Sequence, residues 1–348
     1  MRKSETIAST SNERDAGNHR ATDNQRATVA IARAADYAAD EVRRAIETVV
    51  HACGGWERLI RPGDRVLVKP NCISGAGPER PVQTHPAVIL EVCRQLLDAG
   101  ARPFVGDSPA WGSLHGALKK LGVIEPLNRL GVPIVPFKNG IRANNPRGRV
   151  FTRLVVDRAA LEADAIVNLP KFKAHRQLRM SVAIKNMFGC VGGRRKAWWH
   201  VKAGSYENYF GRMLVETFEM LRPTITIIDG IVAMEGKGPI GGTPRPLGLV
   251  LASTDGPALE RVSVELVGLK PAKLRTLQAA RELDVGTPYL DRIDIDGPPL
   301  EDIRVKDFEI PRLMPIGFSL PRLVKGTFKN AWITHQQARQ ARTEGEPA

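Results

Sequence analysis

The stretch Ala165–Tyr206 reads AIVNLPKFKAHRQLRMSVAIKNMFGCVGGRRKAWWHVKAGSY. It opens with a short apolar run, Ala165–Leu169, that halts at Pro170 and continues directly into Lys171, Lys173 and His175. A strand of this length ending in polar groups is the unit of an open α/β sheet, where ligands bind just beyond the carboxyl ends of the strands. The same stretch holds nine Lys and Arg, two His and no Asp or Glu, against a formal net charge of +14 for the 348-residue chain. The fold class and the sign of the expected ligand are therefore read together: an anion belongs at this strand end.

Working outward, the pattern recurs. Arg65–Pro70 ends at Lys69-Pro70-Asn71, Ala101–Val105 at Gly106-Asp107-Ser108-Pro109, Thr224–Ile228 at Asp229-Gly230, and Gly248–Ala252 at Ser253-Thr254-Asp255. Between them lie helical patterns, Ala39–Ala52 with Val42, Ala45, Ile46, Val49 and Val50 on one face, Pro86–Ala99 after the capping candidate Thr84, Tyr209–Leu221 and Pro257–Leu266. Strands alternating with helices predict a mostly parallel, doubly wound α/β sheet with helices on both faces. The expected organisation is a disordered leader at 1–27, an α/β domain at 28–320 with lobes 28–160 and 161–320 around a cleft, and a polar tail at 321–348. In such a sheet the five polar strand ends converge on one edge.

Hydrophobic content of 43% and charged content of 25% are those of an ordinary globular chain. Four separated cysteines, Cys53, Cys72, Cys93 and Cys190, include no closely spaced ligand pair, so neither a zinc site nor a self-contained ferredoxin-type cluster is written here. With no secretory h-region and no apolar run of about 18 residues, the expectation is a cytoplasmic protein with no membrane contact. The glycine-rich segment 234–242 around Glu235 lacks the Gly-Lys-Ser/Thr ending of a P-loop and the spacing of a dinucleotide fingerprint. Basic charge does coincide with Phe188, Trp198, Trp199 and Tyr206, as in nucleic-acid binders, but acids expected on the same rim would repel a phosphate backbone.

The residue types assign candidate roles. Lys69, Asn71, Lys171, Lys173 and Asn186 are expected to hold and orient the anion. His175, His200, Lys185 and Glu235 are the acid–base candidates. Asp107, Asp229 and Asp255 are expected to tune them or to hold a divalent metal. Glycines after Lys185, in Phe188-Gly189-Cys190-Val191-Gly192-Gly193, permit close backbone approach to a ligand.

Seven ordered motifs carry a family likeness: Lys69-Pro70-Asn71, Thr84-His85-Pro86, Gly106-Asp107-Ser108-Pro109, Leu169-Pro170-Lys171 with Lys173 and His175, Lys185-Asn186 with Phe188-Gly189, Asp229-Gly230-Ile231, and Met234-Glu235-Gly236 through Gly238-Pro239. From about Val66 to Leu269 the chain resembles the bacterial and archaeal domain of unknown function family 362. Some relatives carry iron–sulfur ligand sets, often on an appended module that this chain lacks; two thiols, Cys72 and Cys190, fall short of the four ligands usual for a cluster. More distantly, the layout is similar to nickel-dependent lactate racemase, where lysines and histidines line an α/β cleft. The expected function is an enzyme acting on a small carboxylate or phosphate by isomerase- or lyase-type proton transfer. Two alternatives stay open: a redox or iron–sulfur protein using Cys72 and Cys190 with a partner, and a non-catalytic anion or nucleic-acid binder.

Overall fold

The computed structural model describes residues 26–73, 76–192, 196, 199 and 208–315. Most of the expected leader, the expected tail and His200 lie outside the described residues. In chain order the strands are β1 Ala27–Arg33, β2 Arg65–Pro70, β3 Arg102–Asp107, β4 Ile134–Pro136, β5 Gly140–Asn144, β6 Arg153–Asp157, β7 Ala165–Leu169, β8 Lys171–His175, β9 Arg179–Ser181, β10 Ile225–Glu235, β11 Thr243–Ser253 and β12 Ile293–Asp296. Ten form one sheet with the path β12-β1-β11-β10-β7-β2-β3-β4, to which β8 adds by pairing with β10, and β9 by pairing with β8; β5 and β6 make a separate hairpin. Strands from before and after residue 160 interleave, so the expected lobe boundary does not divide the sheet.

The centre is parallel and covered on both faces. In β2, Val66 and Val68 face a core with the helices Ala39–Ala52 and Pro86–Asp98, while Leu67 faces one with Tyr209–Leu221 and Arg275–Leu283. β7 alternates the same way, with Ala165, Val167 and Leu169 on one face and Ile166 on the other. A strand with two dry faces reads as a continuous apolar run, as both sequences do. The helix Ala39–Ala52 buries Val42, Ala45, Ile46, Val49 and Val50, and each of the Val and Ile side chains contributes roughly 1.5–3 kcal/mol when fully removed from water. Among the described residues, no helix is long and apolar enough to cross a membrane.

Two expectations are corrected. β10 runs past Asp229-Gly230 to Glu235, and β11 returns antiparallel to it, with Thr226 opposite Ser253. Ser253 and Asp255 therefore sit at the opposite edge from Lys69, Asp107, Leu169 and the carboxyl end of β10, and the five-way convergence becomes four-way. Asp229 is tolerated in mid-strand because its charge is paired, and Gly230 because a Cβ there would lie 2.8 Å from the Leu249 carbonyl oxygen. The second correction concerns Lys171–His175: beyond Pro170 the chain is a strand, with Lys171 opposite Asp229 and Lys173 opposite Met234. Alternation then puts Lys171, Lys173 and His175 on one side, while Phe172 and Ala174 enter the core on the other.

Candidate functional site

Two neighbouring constellations occupy the carboxyl edge of β2, β3, β7 and β10. In the first, Lys171 and Asp229, 1% and 0% exposed in their side chains, form an ion pair at 2.8 Å. Lys171 Nζ also donates to the Tyr37 hydroxyl at 2.7 Å, which donates to Asp229 Oδ1 at 2.8 Å. The other carboxylate oxygen accepts the His85 backbone amide at 2.8 Å. The His85 ring stacks on Tyr37 at 3.5 Å, and its Nδ1 accepts the Ala87 amide, capping the helix Pro86–Asp98. Burial is the main cause that holds His85 down at about 4 and pushes the Tyr37 phenol up. This constellation is a closed set in which each charge already has its partner.

The second constellation is different. Lys69 pairs with Asp107 at 2.9 Å and donates to the Pro70 carbonyl at 2.7 Å. Asp107 also accepts the Cys72 amide at 2.9 Å and the Ser108 amide at 2.7 Å. Gly189 packs against this pair so closely that a Cβ would lie 2.3 Å from Asp107 Oδ1 and 2.5 Å from Lys69 Nζ; here glycine is required by contact. Around the pair stand Lys173, Lys185 and Lys196, which make no ion pair with a carboxylate among the described residues. Lys173 Nζ donates to Asn71 Oδ1 and, at 2.6 Å, to the Val82 carbonyl. Lys196 Nζ donates to the Ser108 carbonyl, and Lys185 Nζ stands 5.0 Å from the centre of the Phe188 ring.

Burial penalises these ammonium groups first, and their mutual repulsion adds to it. Lys173 is pushed down to about 7, with Lys185 and Lys171 contributing, and Lys185 to about 7, with Lys196 and Lys69 contributing. Lys196 is pushed down to about 8 despite Asp107. A ladder of amides fixes the cluster from behind: Asn71 donates to Asn186 at 2.9 Å, Asn186 to Asn168 at 2.8 Å, and Asn168 to Thr226 Oγ1 at 3.2 Å.

The structure thus brings together Lys69, Asn71, Lys173, Lys185, Asn186 and Asp107, with Lys171 and Asp229 beside them. His175, buried on the same side of β8, accepts the Gln177 amide through Nδ1 at 3.1 Å. Glu235 is placed elsewhere, accepting the Glu309 amide at 3.0 Å and lying 3.8 Å from Arg245. Asp255 caps the helix Gly256–Leu266 through the Ala258 amide at 2.8 Å, on the far edge. Of the three expected metal ligands Asp255 thus stands apart from Asp107 and Asp229, and the described residues include no group of three or more His, Cys, Asp or Glu arranged to hold a metal ion. Cys72 and Cys190 lie close enough to feel Lys69 and Asp107, yet burial pushes both thiols up, Cys190 to about 12.

Sequence reasoning missed Tyr37, gave His85 no role and did not separate Lys196 from its neighbours. Tyr37 follows the end of β1, which runs parallel to β10 through the shared neighbour β11; the strand-end rule, applied there too, would have found it.

Residues 66–265 match the family described as "Domain of unknown function (DUF362)". A thylakoid-associated protein of Synechocystis is 40% identical over 307 residues, covering 88% of this chain and 95% of that protein. Among solved structures, the lactate racemase apoprotein of Thermoanaerobacterium thermosaccharolyticum is similar with a TM-score of 0.43 and 14% identity over 61% of this chain. This chain spans about half of that enzyme's length, 51%. A crystal structure of a Thermotoga maritima protein is similar with a TM-score of 0.40 and 13% identity, over 73% of this chain and 59% of that one.

Proposed function

Since this chain belongs to the DUF362 family, whose description names no activity, we propose from the site itself that it is an enzyme moving a proton on a small carboxylate or phosphate. One observation carries this reading: Lys173, Lys185 and Lys196 are packed around a single acid, Asp107, whose oxygens already serve Lys69 and two backbone amides. Several buried ammonium groups held together cost free energy that a bound anion offsets. In the proposal, Lys69 and Lys196 set the positive field, and Asn71 and Asn186 orient Lys173 toward the ligand. Lys185, half-buried and pushed down to about 7, is substantially neutral near pH 7 and serves as the general base, as desolvated lysines do. The remaining lysines stabilise the developing oxyanion. The Lys185 ammonium so formed returns the proton, and His175 and His200 are the further acid–base candidates of the proposal. We assign the enzyme to the cytoplasm, where thiols stay reduced.

Two measurements test the reading. Phosphate, sulfate or a small dicarboxylate at millimolar concentration raises the unfolding midpoint of the wild type, by coupling of binding to stability, and does not do so in Lys173→Met/Lys185→Met. Deuterium incorporation from solvent at the carbon beside the carboxylate, followed by NMR over a panel of small hydroxy and oxo acids, reports the proton transfer and is lost in Lys185→Met. An anion response that survives the double substitution places the anion elsewhere. A wild type that binds anions but exchanges no panel member leaves a binder, not an enzyme.

A further inference from the structure

Next to the closed constellation lies a cavity of about 310 Å³, with Tyr37, His85 and Lys171 at its floor and Pro78, Pro81 and Val232 among its walls. We propose that this cavity is a second binding site, for a small organic monocarboxylate with a compact apolar body. The proposal does not rest on the proton-transfer reading, which uses Lys173, Lys185 and Lys196.

The Tyr37 hydroxyl accepts from Lys171 and, at 3.2 Å, from the Val232 amide, and donates to Asp229, so its capacity is used. Gln83 also lines the cavity; its Oε1 accepts the Ile73 amide at 3.3 Å and one Nε2–H donates to the Ala76 carbonyl at 2.9 Å, which leaves its second N–H in the wall. Two donors remain at the floor. Lys171 has three N–H groups, of which Asp229 and Tyr37 take two. His85 receives the Ala87 amide on Nδ1, so its proton sits on Nε2. A floor with two donors selects an oxygen pair. Among the described lining residues the only carboxylate is Glu79, exposed at the rim.

Charge then decides which anion. Asp229 already neutralises Lys171, and Glu79 adds negative charge at the mouth, so a dianion such as phosphate gains little here, whereas a monocarboxylate gains two hydrogen bonds. The volume lies at the small end of ligand pockets, about 300–1,000 Å³, and exceeds the needs of a bare inorganic ion. Proline, valine and aromatic walls favour an apolar body in the remaining space.

The probes are benzoate, butyrate and inorganic phosphate, titrated into the full chain by calorimetry and by ligand-observed NMR. We expect benzoate or butyrate to bind in wild type and to lose affinity by about tenfold in His85→Asn, the equivalent of one net hydrogen bond. Asparagine retains a helix-capping acceptor, so this variant keeps its fold, checked by circular dichroism. Val232→Phe fills the cavity and abolishes benzoate and butyrate binding without altering the phosphate response, while Lys173→Met/Lys185→Met does the reverse. Imidazole nitrogen shifts of His85 report the Nε2–H tautomer and move on adding benzoate. The proposal is overturned if neither carboxylate binds at tens of millimolar, if both substitutions leave the affinity unchanged, or if His85 carries its proton on Nδ1.

Discussion

Lys171 and Lys173 are two residues apart on one strand, point to the same side and are both 1% exposed, yet they meet opposite electrostatic fates. Lys171 has a carboxylate at 2.8 Å and a phenol bridging to the same acid. Among the described residues Lys173 donates to the carbonyl oxygens of Asn71 and Val82, and the ammonium groups of Lys185 and Lys171 add to the burial that pushes it down. The comparison teaches that burial of a cation is not itself a functional signal. A buried pair is weak support for stability and strong punishment when broken, whereas buried like charges without a counter-ion are a standing cost that a ligand relieves.

The largest expected effect comes from breaking the paired side. Asp229→Ala strands Lys171 and removes the acceptors for the Tyr37 hydroxyl and the His85 amide, and should cost about 3–5 kcal/mol in denaturant unfolding. Lys185→Met removes a charge from the unpaired side and should leave stability unchanged or raise it. Equal losses in the two variants would erase the distinction.

A smaller effect follows from pH. Lys173 and Lys185 titrate near 7 in the folded protein and Lys196 near 8, against about 10.4 in the unfolded chain. Above the folded values the unfolded state binds more protons, so stability rises with pH. Glu260 has the opposite sign, since burial raises it to about 7, so its contribution falls from about 4.5 through 7, and in the lysine window one acid's remaining tail is outweighed by three lysines. Buried thiols such as Cys93 and Cys190, pushed up to about 12, oppose the lysines only above about 8.5. Between pH 7 and roughly 8.5 the thermal midpoint should therefore climb in wild type and flatten in Lys173→Met/Lys185→Met. A wild-type midpoint that falls across this window contradicts the unpaired lysines.

The parallel centre was legible in the sequence because β2 and β7 are short apolar runs bounded by turn signals, the pattern of strands covered on both faces. The hairpin β10–β11 was not read, although its signal is present: seven residues, Gly236–Gly242, separate the strands, fewer than the dozen or so that a parallel crossover needs. That error put Asp255 on the wrong edge. Lys171 and Lys173 were found but not told apart, because pairing depends on which partner a register delivers; Asp229 opposite Lys171 and Met234 opposite Lys173 are facts of tertiary structure. Tyr37 escaped because the strand-end rule was applied only where Lys, Asp or Ser ends a strand, and β1 ends at Arg33 with the aromatic just beyond it.

The smallest effect is the sharpest test of where the site ends. Glu235 lies at the last residue of β10, beyond Met234, and its contacts are Arg245 at 3.8 Å and the Glu309 amide at 3.0 Å. Arg245 also pairs with Asp307, so it retains an anion if Glu235 loses its charge. Partly exposed pairs of this kind are worth about 0–1 kcal/mol, and glutamine keeps an oxygen for the Glu309 amide. Glu235→Gln should accordingly shift stability by less than about 1 kcal/mol and leave the anion-induced rise in midpoint as in wild type. If the substitution instead abolishes that rise or the deuterium exchange while the fold stays intact, the carboxylate acts on the ligand and the unpaired side of the comparison extends along β10 to its end.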